Sequence, residues 1–270
     1  MPDPLFDLRD RVIAVTGGLG QLGRAFTRCL LERKARVAVL DLNAASRFSA
    51  QGGEHDQERA LALDCDVTSR GSLEAALTAI EDRWECPHGL INNAAIDSPP
   101  DAPAEDNGPF ETYPRRSLDR IFDVNVAGVI QACQVIGGRM AELGRGSIIN
   151  VSSIYGMVSP DQKLYEYRRE GGAAFYKPVA YSVSKSALLN LARYLATYWG
   201  PKGVRVNTVT FGGVLGNQDP RFLEAYEARV PLGRMASVDD YNGTVIYLLS
   251  DASRYMTGSN VVIDGGWTAW

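Results

Sequence analysis

The sequence predicts a doubly wound α/β domain, one parallel sheet with helices on both faces. Three observations carry that reading. Short runs rich in aliphatic residues recur along the chain, separated by segments of helical period. Those runs are apolar nearly throughout rather than alternating, as strands buried on both faces must be. And a glycine-rich stretch, VTGGLGQLG (Val15–Gly23), leads from the first such run into the first helical segment.

The elements follow in order. RVIAVT is the first strand; beyond the glycines, Leu22, Ala25, Phe26, Cys29 and Leu30 form one apolar stripe at helical spacing. RVAVLDL, ALALDCDV and HGLINNAA are the second, third and fourth strands. RSLDRIFDVNVAGVIQACQVIGGRM is a long helix, GSIINVSS the fifth strand, AYSVSKSALLNLARYLATYWG a second long helix and GVRVNTVT the sixth strand. VDDYNGTVIYLLSD reads as a late helix and NVVIDGG as the last strand. Repeats and low-complexity linkers are absent, so residues 1–270 are read as a single domain. Two stretches break the rhythm, IDSPPDAPAEDNGPFETYP and GMVSPDQKLYEYRREGGAAFYKP. Both follow strand carboxyl ends, where open α/β sheets bind ligands.

Composition removes several classes of function. Apolar residues make up 45% of the chain, enough for a core and too many for disorder. With a net charge of -4 there is no basic stripe to replace phosphate counterions, so nucleic acid is not an expected partner. No apolar run reads as long enough to span a bilayer, and the opening MPDPLFDLRD is acidic where a secretory leader is basic. Cys29, Cys65, Cys86 and Cys133 lack paired spacing, which suits buried free thiols in a reducing cytoplasm and no metal site. His55 and His88 are the two histidines; each sits among turn formers and is expected in a solvated loop. Acid–base chemistry therefore has to come from other side chains.

Gly17, Gly20 and Gly23 stand three apart between the first strand and the first helix. Glycines there allow a tight turn and close approach of backbone to a pyrophosphate, with a helix N-terminus aimed at its charge. Asp41 ends the second strand, where a carboxylate accepts hydrogen bonds from an adenosine ribose and repels a 2′-phosphate. No basic residue immediately follows it. NAD is the expected cofactor.

Tyr181 and Lys185 are four apart on one helix and share a face. An ammonium beside a phenol favours the phenolate, the tuning a tyrosine needs for acid–base work near neutral pH. The fifth strand ends at Ser153, whose hydroxyl can hold a substrate oxygen. Asn125, mid-helix and close to a glycine, is locally unfavourable and signals a kink or a specific hydrogen bond.

TGGLGQLG, LDCDV, NNAA, Asn125, INVSS, YSVSK, VRVNTV and VIDGGW occur in the order of the short-chain dehydrogenase/reductase family, which the chain resembles over nearly its whole length. The resemblance implies a Rossmann-type fold and an active site of Asn125, Ser153, Tyr181 and Lys185. It implies that Tyr181 exchanges a proton, Ser153 positions the substrate oxygen, Lys185 grips the nicotinamide ribose and Asn125 holds a relay water. Around the cofactor it implies Gly17, Gly20, Gln21, Leu22, Gly23, Asp41, Asp66, Val67, Asn93, Ala94, Gly212 and Val214, with Asp66 near the adenine and Asn92 near the cofactor-binding backbone. It further implies a homotetramer or homodimer. Val129, Ile130, Leu188, Leu189, Leu195 and Trp199 are candidates for the second apolar stripe that assembly requires, Trp270 for a partner contact, and Trp267 for a partner contact or for ordinary core packing.

The chain departs from the family pattern at three places. Gln21 stands where single-domain members carry glycine, Ala95 ends the NNAG motif, and Phe211 replaces a proline after the sixth strand. The glycine spacing is that of the epimerase/dehydratase branch, but only a short segment precedes the closing helix and strand, which favours the single-domain type.

The nearest likeness within the family is to flagellin-modification dehydrogenases of nonulosonic-acid pathways. Ser153 and Tyr181 are 28 positions apart, more than the family's usual spacing. An insertion at about 157–180 is therefore expected beside the tyrosine. Its Lys163, Tyr165, Tyr167, Arg168, Arg169, Tyr176 and Lys177 suit sugar faces and an anionic group. The expected substrate is a small polar sugar or polyol, anionic in character, whose secondary alcohol becomes a ketone. The alternative is an NAD(P)H-dependent carbonyl or 3-oxoacyl reductase.

Overall fold

The computed structural model describes residues 3–49, 58–97, 104–170 and 175–270; His55 lies outside them. Seven parallel strands run in the order β3-β2-β1-β4-β5-β6-β7. They are β1 (Val12–Thr16), β2 (Arg36–Asp41), β3 (Ala60–Asp64), β4 (Gly89–Asn92), β5 (Gly146–Ser153), β6 (Val204–Phe211) and β7 (Asn260–Ile263). Each falls within the stretch the sequence marks or at most one residue beyond it. The β1 residues are all buried, as a strand in mid-sheet should be. Strand order reverses between β1 and β4, which opens a crevice at their carboxyl ends.

Apolar clusters cover both faces of the sheet. A third cluster stands apart, built from Ile154, Tyr155, Leu164, Tyr165, Tyr226 and Trp267 among others. It packs the insertion against the helix Pro220–Glu227, so Leu164 and Tyr165 are core residues rather than parts of a solvated loop.

The helical stretch Arg115–Glu142 runs for 28 residues and is long and apolar enough to cross a membrane by length and composition, contrary to the expectation from sequence. Half of its most apolar 18-residue window is buried inside the fold, and Ile121, Val129, Ile136 and Met140 along the helix are buried, which is the environment of a core helix. Two π-helical segments interrupt it, Asp123–Gly128 and Cys133–Gly137. The first contains Asn125, the residue whose local cost predicted an irregularity.

Several expectations about side chains need correction. Val129, Leu188, Leu195 and Trp199 are buried inside the subunit and leave no second stripe of their own. The exposed apolar groups on these helices are Ile130, Val183, Tyr194 and Tyr198. Trp267 stacks on Tyr226 with ring centroids 4.4 Å apart and belongs to the third cluster, whereas Trp270 is exposed. His88 is not in a solvated loop: its Nδ1 accepts a hydrogen bond from the Val12 amide at 3.1 Å, and burial lowers its pKa. The four cysteines are buried free thiols; burial pushes Cys29 and Cys133 up to about 12.

Candidate active site

The glycine loop is shaped by what cannot fit beside it. Gly17 has φ +62°, and a Cβ there would lie 2.7 Å from the Ala94 Cα. A Cβ on Gly23 would lie 2.1 Å from the Gly17 carbonyl oxygen. The loop is fastened to the end of β4: the amides of Asn93 and Ala94 both donate to Thr16 Oγ1 at 3.1 Å, and Asn93 Nδ2 donates to the Gly17 carbonyl at 2.9 Å. Helix Gln21–Glu32 starts there with Gly20 as its cap and no side-chain hydrogen bond on its first amides. A cradle of bare backbone facing a helix N-terminus fits a pyrophosphate. Thr16 is a part the sequence reading did not single out, although it immediately precedes the glycines. Gln21 turns out to be a bridge, its Nε2 donating to the Leu215 carbonyl at 2.8 Å beyond β6.

Asp41 Oδ2 accepts from the Leu19 amide at 2.9 Å, and Oδ1 from the Leu42 amide at 2.8 Å. Arg47 adds an ion pair at 3.1 Å. A basic group thus stands beside Asp41 after all, six residues further on and out of reach of a reading limited to immediate neighbours. The Asp66 carboxylate is turned back to Thr68, accepting its amide and hydroxyl at 2.9 and 2.7 Å. Val67 lies against Gly128 of the long helix, where a Cβ would come within 2.8 Å of it. Asn92 is buried and donates to Asn150 Oδ1 at 2.9 Å, while its neighbour Asn93 holds the glycine loop.

Leu22, Gly212 and Val214 line a cleft of about 560 Å³ that also contains Ser153, Tyr181 and Lys185. Phe211, in place of the proline, ends β6 as a core residue stacked on Tyr241 at 4.0 Å, and Tyr241 donates to the Gly212 carbonyl at 3.0 Å. Ser153 Oγ accepts from the Tyr155 amide at 3.3 Å, which leaves its own proton to point elsewhere. The Ser153 side chain also acts on Tyr181, in the direction that favours the phenolate.

The expected lowering of the Tyr181 pKa does not appear. Burial raises it first, the Asp97 carboxylate next, and Ser153 opposes them only in part. Lys185 Nζ sits 5.8 Å from the Tyr181 ring centroid, donates to the Val151 carbonyl at 2.8 Å, and is pushed down to about 8 by its own burial. Asn125 is fully buried with its amide committed: Oδ1 accepts from the Ile96 amide at 2.9 Å, and Nδ2 donates to the Ile96 carbonyl at 2.9 Å and to Ser184 Oγ at 3.0 Å. It ties the end of β4 to the helix that carries Tyr181, Val179–Trp199.

The insertion is built differently from the expectation. Arg169 donates to the carbonyls of Phe175 and Gln162, each at 2.9 Å, and lies 5.0 Å from the Tyr176 ring. Arg168 lies 3.6 Å over the Phe175 ring. Both arginines hold the insertion together, and Lys163 is exposed. The cation at the cleft is Lys177, ion-paired with Asp97 and 5.1 Å from the Tyr181 ring centroid. Tyr165 and Tyr167 line the cleft with it.

A family model described as enoyl-(acyl carrier protein) reductase matches residues 19–268. The chain is 33% identical over 272 residues to a D-threitol dehydrogenase of Mycolicibacterium smegmatis, covering 97% of this chain and 95% of that protein. It is 29% identical to a post-translational flagellin modification protein A of Campylobacter coli, covering 96% and 99%. Among solved structures, a short chain dehydrogenase from Leptospira borgpetersenii with bound NAD+ superposes with a TM-score of 0.83 at 30% identity, covering 99% of this chain and 96% of that one.

Proposed function

The chain belongs to the short-chain dehydrogenase/reductase family and is an oxidoreductase of alcohol and carbonyl groups; from that premise we propose that it oxidises a secondary alcohol of a small neutral polyol to a ketone. The observation that carries the proposal is the meeting of Ser153, Tyr181 and Lys185 in one cleft with Gln21 and Leu22 at the glycine loop and Asn93, which holds that loop. NAD, when bound, supplies the hydride acceptor.

The chain's own groups do the rest. Ser153 directs its free proton at the substrate oxygen, and Tyr181, once ionised, removes that oxygen's proton. Lys185, held on the Val151 carbonyl, would grip the nicotinamide ribose, with Asn93 and the glycines at the pyrophosphate and Asp41 at the adenosine ribose. Asn125 positions, because both donors of its amide are already in use. The polyol class is supported by a cleft lined with phenols and with Asn217 and Gln218, whose one insertion cation is already paired. That pairing is also why a neutral substrate is preferred here to an anionic one. A screen of NADH formation over tetritols, pentitols and aldoses, with β-ketoacyl substrates as the contrary arm, tests it. Activity confined to acyl-chain ketones defeats the reading.

Asp41 accepts two backbone amides and is held in place, so NAD should bind at least about tenfold more tightly than NADP, roughly 1.4 kcal/mol. Titration showing equal affinities would mean that Arg47 releases Asp41 to receive a 2′-phosphate. We further propose that the chain acts as one domain and assembles with itself through the exposed Ile130, Val183, Tyr194 and Tyr198.

A further inference from the structure

We propose that Lys177 and Asp97 are the specificity pair of the cleft: together they bind the hydroxyls beside the reacting carbon and so select a vicinal polyol over a simple secondary alcohol. The inference rests on the polyol reading above and adds the residues that enforce it.

The pair sits on the substrate side of Tyr181. Lys177 Nζ is 5.1 Å from the Tyr181 ring centroid and 5.9 Å from that of Tyr155. Both ends are fixed from behind. The Gln162 side chain accepts from the Lys177 amide at 2.9 Å and donates to the Lys177 carbonyl at 3.4 Å. Arg169 holds Gln162 in turn. On the other side, Asn125 clasps both backbone groups of Ile96, the residue before Asp97. The Lys177 side chain is 14% exposed and the Asp97 side chain 51%, so the carboxylate stays open to the cleft that both residues line.

The chemistry of the pair suits hydroxyls. An ammonium carries three donors, of which one faces Asp97 Oδ2; a carboxylate keeps further lone pairs after accepting one bond. Donors and acceptors therefore stand side by side, which is what an O–H that must both give and accept requires. A bare hydrocarbon in their place would leave both charges facing apolar surface, and specificity built on such groups is steep. An anionic substituent would have to compete with Asp97 for Lys177.

The experiment compares kcat and KM at saturating NAD for threitol, arabinitol, gluconate and cyclohexanol in the wild type, Lys177→Gln, Asp97→Asn, Lys177→Arg and the charge-swapped D97K/K177D. Lys163→Gln serves as the surface control. The ratio of kcat/KM for polyol over cyclohexanol is independent of how much enzyme folds. It should fall about tenfold or more in each neutral variant, mainly through KM, recover substantially in Lys177→Arg, and stay low in the swap. Ratios within twofold of wild type in both neutral variants, or full recovery in the swap, would show that the pair is only a strap. A wild type that prefers cyclohexanol to every polyol would overturn the polyol reading and the pair with it. Preference for gluconate would overturn the neutral class that the pair implies.

Discussion

At the residue scale, the proposed chemistry turns on the ionisation of Tyr181. Tyr181→Phe should cut turnover by about 10²–10⁴-fold while NADH still binds, because only the exchangeable proton is removed. Retention of more than about a tenth of turnover would falsify the assignment. The pH dependence follows from the sign of the shift. Burial and Asp97 hold the phenol protonated, so oxidation, which needs the phenolate, should rise as the pH climbs. Asp97→Asn removes a charge that opposes ionisation, and the rising limb should then move to lower pH. A limb that stays in place would separate Asp97 from the chemistry. These residues differ in how readable they were. Ser153, Tyr181, Lys185 and Asn93 lie in short motifs whose spacing survives folding. Lys177 and Asp97 are 80 positions apart, and nothing local announces that they meet. The direction of the tyrosine shift was equally hidden, since burial is a property of the fold and not of the interval between Tyr181 and Lys185.

At the element scale, the strands were legible because a parallel sheet covered on both faces demands continuous apolar runs. The insertion was legible only as extra length. Its arginines suggest anion binding by type, but a guanidinium with five donors also serves to bond carbonyls of its own loop, and Arg169 takes that role. Arg169→Ala should therefore loosen the segment that carries Lys177. The expected result is faster proteolytic nicking within the insertion and a raised KM for the polyol, with cofactor affinity unaltered. Unchanged protease sensitivity would contradict that role. Gln162 and Phe175 are the carbonyl partners that make the effect propagate.

For the whole molecule, Tyr194 and Tyr198 stack with ring centroids 6.0 Å apart on an exposed helix face, 62% and 58% accessible. If a second copy covers them, the double variant Tyr194→Glu/Tyr198→Glu should run as a monomer in light scattering at micromolar concentration, where the wild type does not. A wild type already monomeric would remove the proposed interface. The strand order has a further consequence, for a chain emerging from the ribosome. β1, β2 and β3 can pair as they appear, growing the sheet toward one side. The other side of β1 must wait for β4, whose residues follow more than seventy positions later. During that interval the edge of VIAVT, apolar but for Thr16 and unpaired, is the surface most able to stick to another nascent chain. Once β4 arrives, β5, β6 and β7 add outward in the order of their synthesis, so the emergence of residue 92 from the ribosome marks the end of the vulnerable stage.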